Sequence, residues 1–217
     1  MLAEALPRLR LGAEAAANPW SAFSPRPARL WLEIGAGSGE HALAQAAANT
    51  DTGVIAAEVY ANGTAALLSA LLPDGPPAEA ALPHNLLLWP EDGRHLLRLL
   101  PPGSLDRLFL LFPDPWPKAR HAKRRFVHPD IVPLVAQALA PGATWRIASD
   151  DPTYQAWIET VMAAQHAFTT LPPATTRPLD WPPTRYEAKA LAAGRTPLYW
   201  SFVRQSCPSV RPLQPAP

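Results

Sequence analysis

The sequence predicts a doubly wound, mostly parallel α/β sheet with helices on both faces. Three observations predict it. Short apolar runs of strand length alternate with helix-forming stretches between residues 29 and 204. The runs are almost continuously apolar, which suits strands buried on both faces. Acidic residues gather at the carboxyl ends of the runs, where such sheets bind ligands.

The elements follow in order. RLWLEIG (29–35) ends in glycine and reads as the first strand; ALAQAAAN (42–49) is rich in helix formers. VIAAEV (54–59) is a second strand, and TAALLSALL (64–72) a helix that stops before Pro73. NLLLW (85–89) and GRHLLRLL (93–100) repeat the strand–helix pair. DRLFLLF (106–112) is a fourth strand. IVPLVAQALA (131–140) is a helix ending at Pro141-Gly142, with Pro133 tolerated in its first turn. ATWRIASD (143–150) is a strand, TYQAWIETVMAAQ (153–165) a helix, and LYWSFVR (198–204) the last strand.

Composition bounds the rest. Of 217 residues, 48% are hydrophobic and 17% charged, which excludes wholesale disorder and allows one large core. Proline is unusually frequent, 28 against 11 glycines, and much of it sits near the ends and in loops. Residues 1–27 read as an irregular arm, 28–204 as the folded domain and 205–217 as a flexible tail. A single cysteine, Cys207, excludes an internal disulfide and a Cys-based metal cluster. His84, His95, His121 and His128 show no ligand spacing, so no metal is expected. No long uncharged apolar run is present, and Glu4, Arg8 and Arg10 interrupt the stretch a secretory leader would need. A cytoplasmic protein that engages no membrane is expected.

Net charge is only +1, but five Lys/Arg fall in Lys118-Ala-Arg120-His121-Ala-Lys123-Arg124-Arg125, leaving the remainder net acidic. Such a local basic spot suits a polyanion. Gly35, Gly37 and Gly39 form G-x-G-x-G between a strand and a helix. A plain tight turn would explain the glycines alone; with Glu58 about 20 residues on, a nucleotide-type ligand is the better reading. A pyrophosphate would be repelled by Glu33 and Glu40, and the third glycine of a dinucleotide loop is missing. S-adenosyl-L-methionine has no phosphate and carries a sulfonium and an ammonium, so acids beside the loop favour it. Glu58 then suits the ribose hydroxyls and Asp92 the adenine amine, although Asp92 also suits a helix cap.

Leu111-Phe112-Pro113-Asp114-Pro115-Trp116-Pro117-Lys118 closes the fourth strand, and two prolines stiffen the backbone around Asp114. With EIGAGSGEH, AAEV, LFPDPWPKARHAKRRF, ASDD and TRYE in that order, the chain resembles the bacterial tRNA (guanine-N7-)-methyltransferases. Those enzymes act on the variable-loop guanosine at tRNA position 46. The resemblance spans roughly residues 29–204.

The resemblance implies a Rossmann-like class I methyltransferase with a seven-stranded sheet, S-adenosyl-L-methionine as methyl donor and tRNA as partner. It assigns Glu33, Glu58, Asp92 and Asp114, with the loop glycines Gly35, Gly37 and Gly39, to the donor. Asp114 matches the catalytic position. Lys118, Asp150, Thr184, Arg185, Tyr186 and Glu187 match substrate-binding positions, and Arg120, His121, Lys123, Arg124 and Arg125 the segment that touches RNA. A monomer or weak homodimer is expected. Rival readings are a related methyltransferase acting on another RNA or a small molecule, an NAD-dependent oxidoreductase, and a non-enzymatic RNA-binding protein. The basic octet argues against a small-molecule substrate, Glu33 with Glu40 against the oxidoreductase, and the intact acids against the non-enzymatic protein.

Overall fold

The apolar runs pair side by side in a computed structural model that describes residues 2–72 and 82–206. The strands are β1 (Arg29–Ile34), β2 (Thr52–Ala57), β3 (Leu86–Trp89), β4 (Leu105–Leu111), β5 (Leu139–Ser149), β6 (Phe168–Thr170) and β7 (Leu198–Arg204). They form one seven-stranded sheet in the order β3-β2-β1-β4-β5-β7-β6. The first five are mutually parallel, whereas β7 runs antiparallel to both β5 and β6. The chain winds outward from β1 to β3 and then returns to place β4 on the other side of β1. That reversal opens a crevice above the carboxyl ends of β1 and β4.

Both sheet faces are covered, so alternate residues of one strand enter different cores. Leu30, Leu32 and Ile34 of β1 join Leu108 and Leu110 of β4 in one core. It is closed by α2 (Ala13–Ala16), α5 (Gly93–Leu99), α6 (Val132–Ala138) and α7 (Pro152–Ala163). On the opposite face, α1 (Leu2–Leu9), α3 (Glu40–Ala48) and α4 (Ala61–Leu71) cover Val54, Ala56, Leu86 and Leu88. Beside them Trp31, Phe109, Trp181 and Tyr199 form an aromatic cluster, with Phe109 and Trp181 edge-to-face at 6.3 Å.

Three sequence expectations need correction. The irregular arm is mostly helical: Ala5 and Leu9 of α1 are buried against Leu67 and Leu68 of α4. Leu11 then donates its N–H to the Leu88 carbonyl at 2.9 Å, covering the β3 edge. Ala5, Leu6 and Leu9 form the face that carries that helix, and the prolines obscure it. β5 starts at Leu139 rather than 143, because Leu139 pairs with Leu105 before the register shifts near Arg107. Finally, β6 and a helix α8 (Arg185–Ala192) have no counterpart among the predicted elements. β6 is only three residues long and rests on β7. Most of the expected tail, from residue 207 and including Cys207, lies outside the described residues, as does 73–81 of the proline-rich segment.

Among the described residues no helix is long and apolar enough to cross a membrane, and no group of three or more His, Cys, Asp or Glu is arranged to hold a metal ion.

Candidate functional site

The carboxyl ends of β1 to β4 surround a cavity of about 640 Å³. Gly35 follows β1, Val59 and Tyr60 follow β2, Asp92 follows β3, and Asp114 follows β4; all line it. Lys123 and Arg124 close one side, so the basic turn meets the cavity directly. Val59 and Tyr60 are large apolar side chains left 58% and 62% exposed at its edge.

The glycine loop is shaped by its backbone. Gly35 has φ +72° and would meet nothing within 4 Å if it carried a Cβ, so open space lies beside it. Gly39, at φ +77°, is the residue before α3; a Cβ there would come within 2.4 Å of Leu67. The missing Cβ lets α3 and α4 pack closely. Gly37 donates its N–H to Glu58 Oε2 at 2.7 Å, and Tyr60 donates its N–H to Glu58 Oε1 at 2.7 Å. Glu58 is buried and knits the loop to β2. Its oxygens retain lone pairs beyond these two bonds.

Glu33 is 4% exposed and its Oε2 lies 2.9 Å from His41 Nδ1. It lines a second cavity of about 20 Å³ with Gly35, Thr184 and Tyr186. That is room for one water-sized group, on the scale of an ammonium. Asp92 is the N-cap of α5: Oδ1 accepts from the Arg94 N–H at 2.8 Å, and Arg94 Nη1 reaches Oδ2 at 3.2 Å. It both caps a helix and faces the large cavity.

Asp114 is exposed at the cavity mouth, in a loop whose flanking Phe112 and Trp116 both take positive φ, 49° and 43°. Lys118 precedes a 3-10 turn, Ala119–Arg124, that carries Arg120, His121, Lys123 and Arg124 on the surface. Arg124 stacks on the Trp116 ring at 4.6 Å, and His121 meets it edge-on at 5.8 Å. Arg125 departs from expectation. It is 4% exposed, donates to the carbonyls of Pro115 and Trp116, and covers the Trp157 ring at 4.7 Å. It builds the loop from beneath and presents no charge to a phosphate.

The TRYE residues start α8. Thr184 Oγ1 accepts from the Glu187 N–H at 3.1 Å, one half of a capping box. Arg185 donates its backbone N–H to Glu40 Oε2 at 3.0 Å, which ties α8 to the start of α3. Tyr186 reaches over the glycine loop: a Cβ on Gly37 would lie 3.7 Å from its ring. Glu187 also departs from expectation. It is buried, its Oε1 accepts from the Tyr199 hydroxyl at 2.8 Å, and Arg177 Nε lies 3.0 Å from Oε2. Burial, reinforced by that carboxylate, pushes the Tyr199 phenol well above its ordinary value. Glu187 thus ties α8 to β7 through the Tyr199 hydroxyl and to Arg177. Asp150, at the end of β5, pairs with Arg195.

The structure thus brings Gly35, Asp92, Asp114, Lys123 and Arg124 to one cavity and Glu33, Thr184 and Tyr186 to its small neighbour. Sequence reasoning missed His41, whose signal was its place in GEH at the start of α3. It also missed Arg94, whose guanidinium lies 5.5 Å from the Phe126 ring at the cavity wall.

A family model described as "Putative methyltransferase" matches residues 27–199. Over 201 residues the chain is 58% identical to a protein of Granulibacter bethesdensis named tRNA (guanine-N(7)-)-methyltransferase, covering 92% of this chain and 86% of that one. A protein of the same name from Rhodospirillum rubrum is 47% identical over 205 residues, covering 92% and 77%. Among solved structures, the 16S rRNA methyltransferase KamB superposes with a TM-score of 0.60 at 18% identity, covering 83% of this chain and 89% of that one. At that identity the likeness concerns the fold.

Proposed function

The chain belongs to the bacterial tRNA (guanine-N7-)-methyltransferase family, and from that membership we propose that it transfers a methyl group from S-adenosyl-L-methionine to N7 of the guanosine at position 46 in the tRNA variable loop. The observation that carries the reading is one cavity lined at once by Gly35 and Asp92 of the sheet rim, by Asp114, and by the basic residues Lys123 and Arg124. A donor-binding rim and a phosphate-binding turn share a wall. The reading places the enzyme in the cytoplasm, as a monomer or weak homodimer.

The residues present fit the donor. The open space beside Gly35, the acids at three strand ends and the water-sized cavity at Glu33 suit a cationic nucleoside without phosphate. When bound, S-adenosyl-L-methionine supplies an electrophilic methyl on a sulfonium. In this reading Glu58 takes the ribose hydroxyls, Asp92 the adenine amine, and Glu33 the ammonium. Guanine N7 carries a free in-plane lone pair at neutral pH, so no proton has to be removed first. Positioning and electrostatics are what remain for the protein to contribute. Asp114, stiffened by Pro113 and Pro115, accepts hydrogen bonds from the guanine N–H edge and offsets the positive charge that the base gains. Lys118, Arg120, Lys123 and Arg124 hold phosphates, while Thr184, Arg185 and Tyr186 bound the base side of the glycine loop.

Incubating the purified protein with radiolabelled donor and an unmodified tRNA transcript tests this. The label should appear as a single 7-methylguanosine in the variable loop. Label on another base, or transfer only to small amines, would overturn the reading.

A further inference from the structure

Between Glu33, at the end of β1, and the 177–183 segment that leads into α8 runs a buried line of hydrogen bonds. Its members His41, Gln45 and Asn49 lie four residues apart, hence on one face of α3 and its end. His41 and Gln45 are 2% and 3% exposed. Two buried polar side chains one helical turn apart, continued by half-buried Asn49 at the C-cap, are costly unless their donors and acceptors are matched. Here the bonds along the line fix the orientation of the Gln45 amide and the tautomer of the His41 ring.

The Gln45 amide nitrogen donates to the Asp180 carbonyl at 3.2 Å, an oxygen that can only accept. Gln45 Oε1 in turn accepts from Asn49 Nδ2 at 3.2 Å. The Gln45 amide therefore has one orientation, and its nitrogen, 3.2 Å from His41 Nε2, presents a donor to that ring nitrogen. Nε2 must then be the acceptor, and the ring proton sits on Nδ1, which donates to Glu33 Oε2 at 2.9 Å. The imidazole is held edge-on against Phe109 at 4.6 Å, so it does not turn freely. One oxygen of Glu33 is thereby occupied and oriented. The other, Oε1, has no partner in the described residues, and Glu33 lines the water-sized cavity with Gly35, Thr184 and Tyr186.

We propose that His41 is a positioning residue: through its Nδ1 proton it aims the Glu33 carboxylate at the ammonium group of the methyl donor. The inference rests on the reading of Glu33 as the ammonium's partner. It adds that the quality of that contact is set by His41 and, one step further back, by Gln45.

The test is calorimetric titration of the full chain with two ligands. S-adenosylhomocysteine carries the ammonium; methylthioadenosine is the same nucleoside thioether without the amino-acid end. His41→Leu should weaken S-adenosylhomocysteine about 10-fold or more, the size of one hydrogen bond to a charged group, and leave methylthioadenosine within about 2-fold. His41→Asn, whose amide can replace the Nδ1 donor, should recover most of the loss. In turnover the His41→Leu change should fall on KM for the donor and not on KM for tRNA. Equal weakening of both ligands, or no weakening of either, would overturn the proposal. Should His41→Leu fail to fold, Gln45→Met carries the same comparison, with about a 3-fold selective loss expected and an unselective one contradicting it. Glu33→Gln separates the two layers. If it leaves S-adenosylhomocysteine binding intact, the reading of Glu33 falls and the proposal with it. If it weakens binding selectively while the His41 variants do not, the proposal alone falls.

Discussion

The Arg125 guanidinium donates to the Trp116 carbonyl, from Nη2 at 3.0 Å and from Nε at 3.3 Å, so a residue of the basic run supports the loop that presents Asp114. Its neighbour Arg124 lies over the opposite feature of the same residue, the Trp116 ring. Two adjacent arginines thus do different work, and substitution should separate them. Arg125→Met should lower stability by about 2 kcal/mol, since half-buried carbonyls lose a charged donor, and lower turnover with it. Arg124→Ala should leave the melting temperature nearly unchanged, weaken tRNA binding and reduce the salt slope of binding by about one. Thermal melts and filter binding at several salt concentrations check both.

Asp114→Asn keeps the shape of the loop and removes the charge. Turnover should fall about 100-fold or more, as when one preorganised electrostatic contact is lost, while tRNA affinity changes by less than about 3-fold. Single-turnover kinetics beside equilibrium binding measure the two. Parallel losses in both would make Asp114 a binding or folding residue.

Glu187→Gln tests the anchoring of α8 to β7. The buried Tyr199 hydroxyl and Arg177 would lose their carboxylate, with a stability loss of about 1–3 kcal/mol. That corresponds to several degrees in melting temperature for a domain of this size. Tyr199→Phe should cost a similar or smaller amount, and the double variant should fall short of the sum, because the two residues share one bond.

Alkaline pH provides a further check. Tyr154 is fully buried, accepts the Val127 N–H at 3.1 Å, and its phenol is pushed well above its ordinary value of 10.0, mainly by burial. Above pH 10 the unfolded chain releases this proton and the folded chain keeps it. The stabilisation is therefore complete below pH 10 and is lost as pH rises beyond it, at about 1.4 kcal/mol per pH unit for this group. Tyr154→Phe should flatten that decline in urea melts between neutral pH and pH 11 or so. An unchanged decline would mean that the phenol titrates normally in the folded state.

Much of this was legible in the residues. A parallel strand buried on both faces has to be apolar along its length, and β1, β2 and β4 announce themselves that way. The acids at their carboxyl ends stand out because the buried stretch before them carries none. What stayed hidden depends on tertiary partners. Arg125 and Arg124 are the same residue type in one run, and only the loop folding back over Arg125 distinguishes them. TRYE drew attention as a motif, yet its Thr-x-x-Glu spacing also spells a capping box, from which α8 could have been inferred. His41, Gln45 and Asn49 stand four apart in a stretch otherwise rich in alanine, a periodic polar stripe that pattern reading alone can find. Its meaning needs Glu33 and Asp180, 8 and 135 residues from the members they bond.

Guanine N7 itself is the atom through which this cavity can be tested as the seat of methyl transfer. Replacing the variable-loop guanosine of a tRNA transcript by 7-deazaguanosine removes that single nitrogen and leaves pairing intact. Methyl transfer to this transcript should fall to background while it still competes with normal tRNA for binding. Transfer that continues at the rate of the unsubstituted transcript would mean that N7 is not the acceptor.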